Sequence, residues 1–124
     1  MSSIPPTLSK RATLLKSLLV LDRDVSDTVC ELNRLGWDSE TELVTLDRHY
    51  IVSILDRYLN RQLSASDVED WANAIESRED IAYEPKFEDA IDRAIQALAN
   101  PVLTRSLSER TAKEWIQFLQ HCGI

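Results

Sequence analysis

From Leu14 onward the apolar residues Leu14, Leu18, Leu21, Val25, Val29, Leu32 and Leu35 recur at spacings of 4, 3, 4, 4, 3 and 3. That is the period of an amphipathic helix. Asp22 and Asp24 are placed to cap a second start, so the pattern predicts two helices broken near residues 22–24, with Gly36 as the C-terminal stop. The apolar run at residues 14–21 also reads as a short buried strand, and periodicity alone leaves that alternative open. Residues 37–45 are polar and acidic and read as a connection. A third helix is predicted over residues 46–59, with Tyr50, Ile51, Ile54, Leu55, Tyr58 and Leu59 on its apolar face. Ser66-x-x-Glu69 has the form of a capping box, opening a helix that buries Val68, Trp71, Ala72 and Ile75. Residues 77–85 break the period, because Pro85 biases Glu84 away from helix, and read as a loop or short extended stretch carrying Ile81 and Tyr83. Phe87, Ala90, Ile91, Ala94, Ile95 and Leu98 mark the next helix, ended by Asn100-Pro101. A second capping box, Ser106-x-x-Glu109, opens a last helix that turns Ala112, Trp115, Ile116 and Leu119 inward.

Five or six helices with short connections and no strand pair predict an all-α domain, either a bundle or an orthogonal packing. It is expected to span residues 8–124, behind a disordered or extended lead over residues 1–7 that contains Pro5-Pro6. With 124 residues the chain can bury about two-thirds of its extended surface, enough for one self-sufficient core. The two glycines, Gly36 and Gly123, exclude phosphate loops, dinucleotide fingerprints and glycine-turned hairpins, and no cofactor is expected. Cys30 and Cys122 are too few for a disulfide framework. Neither a signal peptide nor a membrane span fits the apolar runs, so a cytoplasmic protein is expected.

Charge sharpens the picture. The formal net charge is -7, which disfavours direct contact with nucleic acid, since phosphate neutralisation needs a basic face. Residues 67–92 hold ten acids against two bases, a local balance of -8, and the rest of the chain is close to neutral. Within that segment Glu76, Glu79, Asp80, Glu84, Glu88 and Asp89 are the expected charge donors of a partner surface, with Tyr83 as its aromatic anchor. The complementary partner is a basic protein. Trp37 follows Gly36 in a polar stretch and is either an exposed anchor or packed across helix ends.

Catalytic readings find less support. Asp47 and His49 are two apart and do not face each other on a helix, and His121-Cys122 falls short of the spaced ligands of a zinc site, so both histidines read as structural. Glu76-x-x-Glu79 and Asp89-x-x-Asp92 do place two i, i+3 carboxylate pairs on consecutive helices, a set able to hold magnesium against a phosphate. That arrangement is similar to the paired acidic motifs of all-α nucleotide pyrophosphatases. It departs from them in its short interval, and in aspartate where that family has glutamate first.

The stretch Tyr58-Leu59-Asn60-Arg61-Gln62-Leu63-Ser64-Ala65-Ser66-Asp67, followed by Trp71, resembles small bacterial toxin-immunity proteins over residues 58–72. In these a helix ends in Tyr-Leu, and after a polar turn Leu-Ser opens an acidic helix carrying an aromatic residue. The resemblance implies a single-domain helical inhibitor that binds a basic, nuclease-type toxin through acidic side chains. The first function expected is a non-catalytic protein-binding module of immunity or antitoxin type, with a magnesium-dependent phosphohydrolase and a helical adaptor whose acidity serves solubility as the alternatives.

Overall fold

A computed structural model describes residues 6–35, 43–76, 78, 80–101 and 106–121. Along them the order is α1 (Pro6–Val20), α2 (Val25–Arg34), β1 (Val44–Leu46), α3 (Arg48–Leu59), α4 (Ala65–Glu76), β2 (Ile81–Tyr83), α5 (Glu88–Ala99) and α6 (Glu109–His121). α1 packs on α2, α3 on α6 and α4 on α5. One cluster of buried side chains joins them, with Leu15, Leu18, Leu32, Leu55, Trp71 and Ile95 fully enclosed. The Trp71 indole donates from Nε1 to Leu18 O at 2.9 Å, so the largest core residue also pins α4 to α1. No helix among the described residues is long and apolar enough to cross a membrane.

The fold is the expected all-α, multi-helix domain, with corrections at its joints. α1 begins at Pro6, two residues inside the expected lead, because proline is tolerated in a first helical turn. Residues 14–20 are helix, which closes the strand alternative. The break falls near residues 22–24 as the pattern predicts, and Asp24 caps α2 by accepting from Ser26 N at 3.1 Å. No glycine stands at this turn. Leu21 itself takes the left-handed conformation (φ 52°), with Leu21 N bonded to Leu18 O and Asp22 N to Ser17 O. Burial of the Leu21 side chain opposes that backbone strain, as does Arg57 of α3, whose Nη1 donates to Val20 O at 3.0 Å and Leu21 O at 3.1 Å. Gly36 and Trp37 lie outside the described residues, as do Glu79 and Cys122.

A strand pair is present, contrary to expectation. β1 and β2 run parallel with Val44 opposite Ile81 and Leu46 opposite Tyr83. Parallel strands need a crossover, and the α3–α4 hairpin supplies it. Leu46 is buried in β1 and does not open a helix; α3 starts at Arg48 instead, behind Asp47, whose Oδ1 accepts from Tyr50 N at 3.2 Å.

Both capping boxes form two residues away from where the sequence pattern placed them. At α4 the pair is Ser64 and Asp67, with Ser64 N donating to Asp67 Oδ2 at 2.9 Å and Asp67 N to Ser64 Oγ at 3.0 Å. At α6 it is Ser108 and Thr111, each backbone N–H donating to the other's hydroxyl, at 2.8 and 3.2 Å. Aspartate and threonine reach the same orphan N–H groups that the Ser-x-x-Glu form would, and they put the apolar faces of both helices in register with the core. Ser66, Glu69, Ser106 and Glu109 are thereby released from capping.

Candidate functional site

The acidic segment divides into carboxylates that hold the fold and carboxylates that face solvent. Asp80, just before β2, is wholly buried, at 0% relative exposure. Arg78 grips it with two bonds, Nε to Oδ1 at 2.9 Å and Nη2 to Oδ2 at 3.1 Å. Arg11 of α1, itself 3% exposed, brings Nη1 to 3.6 Å from Oδ2 and donates from Nη2 to Leu35 O at 3.3 Å. A single carboxylate therefore sits between two guanidiniums under the α1–α2 pair. Such a group holds the chain together and cannot meet a partner, which removes Asp80 from the expected surface.

Glu84, just after β2, is likewise engaged. Its Oε1 accepts from Arg48 Nε at 3.0 Å and from Arg48 N at 3.2 Å. Burial alone would raise the Glu84 pKa, but the Arg48 bonds outweigh it and hold the carboxyl below its ordinary range. The same guanidinium lies 3.5 Å from the centre of the Phe87 ring and donates to Leu119 O at 3.3 Å, closing the C-terminal end of α6. Glu84 thus ties β2 to α3 and α6 and is only partly available, at 27% side-chain exposure.

Between these two anchored acids stands Tyr83, half-buried at the end of β2, while its neighbour Ile81 goes into the core. The Tyr83 phenol is pushed up to about 12, first by burial and then by the nearby carboxylates of Asp92 and Glu76. Glu76 closes α4 and Asp92 projects from α5, so two helices bring acids to one aromatic hydroxyl. Glu76 accepts from Asn100 Nδ2 at 3.0 Å and Asp92 from Gln96 Nε2 at 2.9 Å, both neutral donors. Glu88 and Asp89 are exposed on the first turn of α5, where negative charge also complements the helix dipole. Among the described residues none of Glu76, Glu88, Asp89 and Asp92 is ion-paired. Thus Glu76, Tyr83, Glu88 and Asp89 of the expected surface stay available, Asp92 joins them, and Glu79 lies outside the described residues.

The magnesium reading needs Glu76, Glu79, Asp89 and Asp92 together. Among the described residues no three histidine, cysteine, aspartate or glutamate side chains gather where they could hold a metal ion. His49 and His121 are exposed, near the start of α3 and at the end of α6. The sequence pattern offers Asp22 and Asp24 only as helix caps and Asp67 and Asp70 only as part of the segment's charge, yet the four line one cleft of about 340 Å³ between the α1–α2 turn and α4, with Arg57 on its wall. The signal for the second pair was partial: Asp70 falls opposite Val68, Ala72 and Ile75 on α4, whereas Asp67 lies one turn before Trp71 and caps the helix. The first pair is brought there by the break that the pattern predicts near residues 22–24, although nothing local announces the left-handed conformation of Leu21 that aims it. Compared with models of protein families, with curated proteins and with solved structures, the chain matches none.

Proposed function

We propose that the protein is a non-catalytic binding module that holds a basic protein surface against the face formed by Glu76, Tyr83, Glu88, Asp89 and Asp92. Its specific form would be an immunity or antitoxin-like inhibitor of a basic, nuclease-type toxin, acting in the cytoplasm. One observation carries the reading: these carboxylates are exposed and without ion pairs among the described residues, Glu76 and Asp92 beside the half-buried Tyr83 and Glu88 and Asp89 one turn from Asp92 along α5, whereas Asp80 and Glu84 in the same segment are neutralised internally. A face of that kind speeds encounter with a cation-rich surface and disfavours other partners, and a central aromatic supplies the anchoring contact. Val20 is the one large hydrophobic side chain exposed among the described residues, so charge rather than an apolar patch sets partner choice.

The product of the neighbouring gene is the first partner to test, by titration calorimetry and stopped-flow association at two salt concentrations. The double reversal Asp89→Lys/Asp92→Lys should slow association at low salt roughly 10-fold or more and flatten its salt dependence. Asp56→Lys, an exposed position on α3, serves as the control. Association that survives the double reversal with its salt dependence intact would remove this face from the interface.

A further inference from the structure

Where the N-terminal turn of α4 meets the C-terminal end of α5 and the start of α6, the fold leaves a cleft of about 250 Å³. Leu98, Leu107 and the Trp115 indole form apolar walls, and Ser66, Glu69 and Ser106 add polar groups. Three of these are residues that sequence patterning assigned to capping boxes. Because Ser64–Asp67 and Ser108–Thr111 do the capping, the Ser66 hydroxyl and the Glu69 carboxylate are left without a helix-end partner. Glu69 is half-buried and forms no ion pair or side-chain hydrogen bond among the described residues. Trp115 is also half-buried, and its ring is braced edge-on by Phe118 with centroids 5.6 Å apart. A cleft that joins a half-buried glutamate without a counter-ion to an aromatic wall disfavours an anion, which adds like charge, and a purely apolar group, which leaves the charge uncompensated.

We propose that this cleft takes the side chain of an arginine presented by a partner protein. An arginine matches each feature of it. The aliphatic stem lies along Leu98 and Leu107, the planar cation stacks on the Trp115 indole, and its forked donors reach Glu69 and the two serine hydroxyls. Lysine matches less well, because a compact, strongly hydrated ammonium neither stacks on the indole nor donates in a plane. The chain's own charge points the same way, as Glu69 belongs to the segment that carries a balance of -8. This inference rests on the reading that the partner is basic, and it adds a second contact, separate from the face around Tyr83.

The probe is N-acetylargininamide, titrated into the full chain while the tryptophan indole N–H resonances are followed by NMR, with Trp115 assigned through Trp115→Phe. A saturable shift of the Trp115 indole is expected, with half-saturation on the order of 1 mM for a ligand of this size. Trp71, fully buried and bonded to Leu18 O, should stay fixed and so reports an intact fold. N-acetylcitrullinamide, the neutral isostere, should bind at least 10-fold more weakly, as should the arginine probe to Glu69→Gln, and N-acetyllysinamide should fall between. No saturable shift at Trp115, equal binding of the citrulline probe, or unchanged affinity in Glu69→Gln would overturn the assignment. A Trp115 shift that follows protein concentration alone would overturn it too, in favour of a second copy of the chain as occupant. The two readings fail separately. Asp89→Lys/Asp92→Lys should still bind the arginine probe, and loss of the probe site with partner association still sensitive to that double reversal would sink the cleft alone.

Discussion

Replacing Asp80 by asparagine separates a residue that holds the fold from one that meets a partner. The change keeps the side chain's shape but removes the charge, and it turns one oxygen facing Arg78 or Arg11 into an N–H donor. Two charge-assisted bonds from Arg78, at 2.9 and 3.1 Å, are weakened or lost. Arg11, 3% exposed, loses the one acid it approaches among the described residues, and its Nη1 has no hydrogen bond to fall back on. Breaking a buried pair on one side typically costs about 3–5 kcal/mol, because a buried cation is left uncompensated. For a domain of 124 residues each kcal/mol shifts Tm by about 4 °C, so a fall of roughly 12–20 °C is expected, with a matching drop in the urea midpoint. Asp89→Asn, on the exposed first turn of α5, should stay within about 0.5 kcal/mol of the parent. At a temperature where Asp80→Asn remains folded, it should bind a partner with unchanged affinity. A loss below about 1 kcal/mol, or a binding defect in the folded variant, would refute the account of Asp80 as an internal counter-ion.

Three further outcomes are expected. Lys86 occupies the third position of the Glu84–Phe87 turn at φ 74°, closed by Phe87 N to Glu84 O at 3.1 Å, where a type II turn favours glycine; Lys86→Gly should stabilise by about 0.5 kcal/mol in urea denaturation. Tyr83 keeps its proton to about pH 12 in the fold against about 10 in the unfolded chain, so the folded state binds more protons in that window; stability should fall as pH rises from about 10 to 12, and Tyr83→Phe should remove that part of the slope. Millimolar magnesium should leave Tm unchanged, whereas a rise abolished by Glu79→Gln would restore the phosphohydrolase reading.

Helix-period apolar positions carried most of the architecture, since each helix buries a stripe whose spacing survives any choice of neighbours. The stripe Val68, Trp71, Ala72 and Ile75 is buried as read, and so are Ile91, Ala94, Ile95 and Leu98. What failed to register was short or non-local. Val44–Leu46 and Ile81–Tyr83 are three residues each, too brief for alternation to show, and they pair across a whole helical hairpin. The capping boxes slipped by two residues because Ser64-x-x-Asp67 and Ser66-x-x-Glu69 overlap, and only packing decides which serine lies outside the helix. At the candidate site composition located the charge but could not say which acids were neutralised. Arg11 lies far from Asp80 in sequence, and Arg48 is 36 residues from Glu84, so both pairs exist only after folding.

Those two pairs also bear on how the proposed face works. Asp80 and Glu84 flank the three residues of β2, one held by arginines from before it and from α1, the other by Arg48 at the start of α3. Asp80 holds the far end of β2, whereas Glu84 adjoins Tyr83 directly, so it is the Arg48–Glu84 pair that fixes the aromatic, and an anchor fixed in advance loses little freedom when a partner docks. Glu84→Gln tests this. The change removes one negative charge, as Asp89→Asn does, so the two variants should lose similar amounts of association rate if charge alone matters. It also weakens the Arg48 tether while leaving the aromatic itself in place. If Tyr83 is held by that tether, Glu84→Gln should raise the dissociation rate several-fold, whereas Asp89→Asn should act mainly on association. Because Arg48 outweighs burial and lowers the Glu84 pKa, the tether's contribution to stability is present above the unfolded value near 4.5 and is lost as pH falls through the lower folded value. The stability gap between the parent and Glu84→Gln should accordingly close in acid. Equal dissociation rates for the two variants, together with a stability gap that ignores pH, would show that Glu84 contributes only its charge.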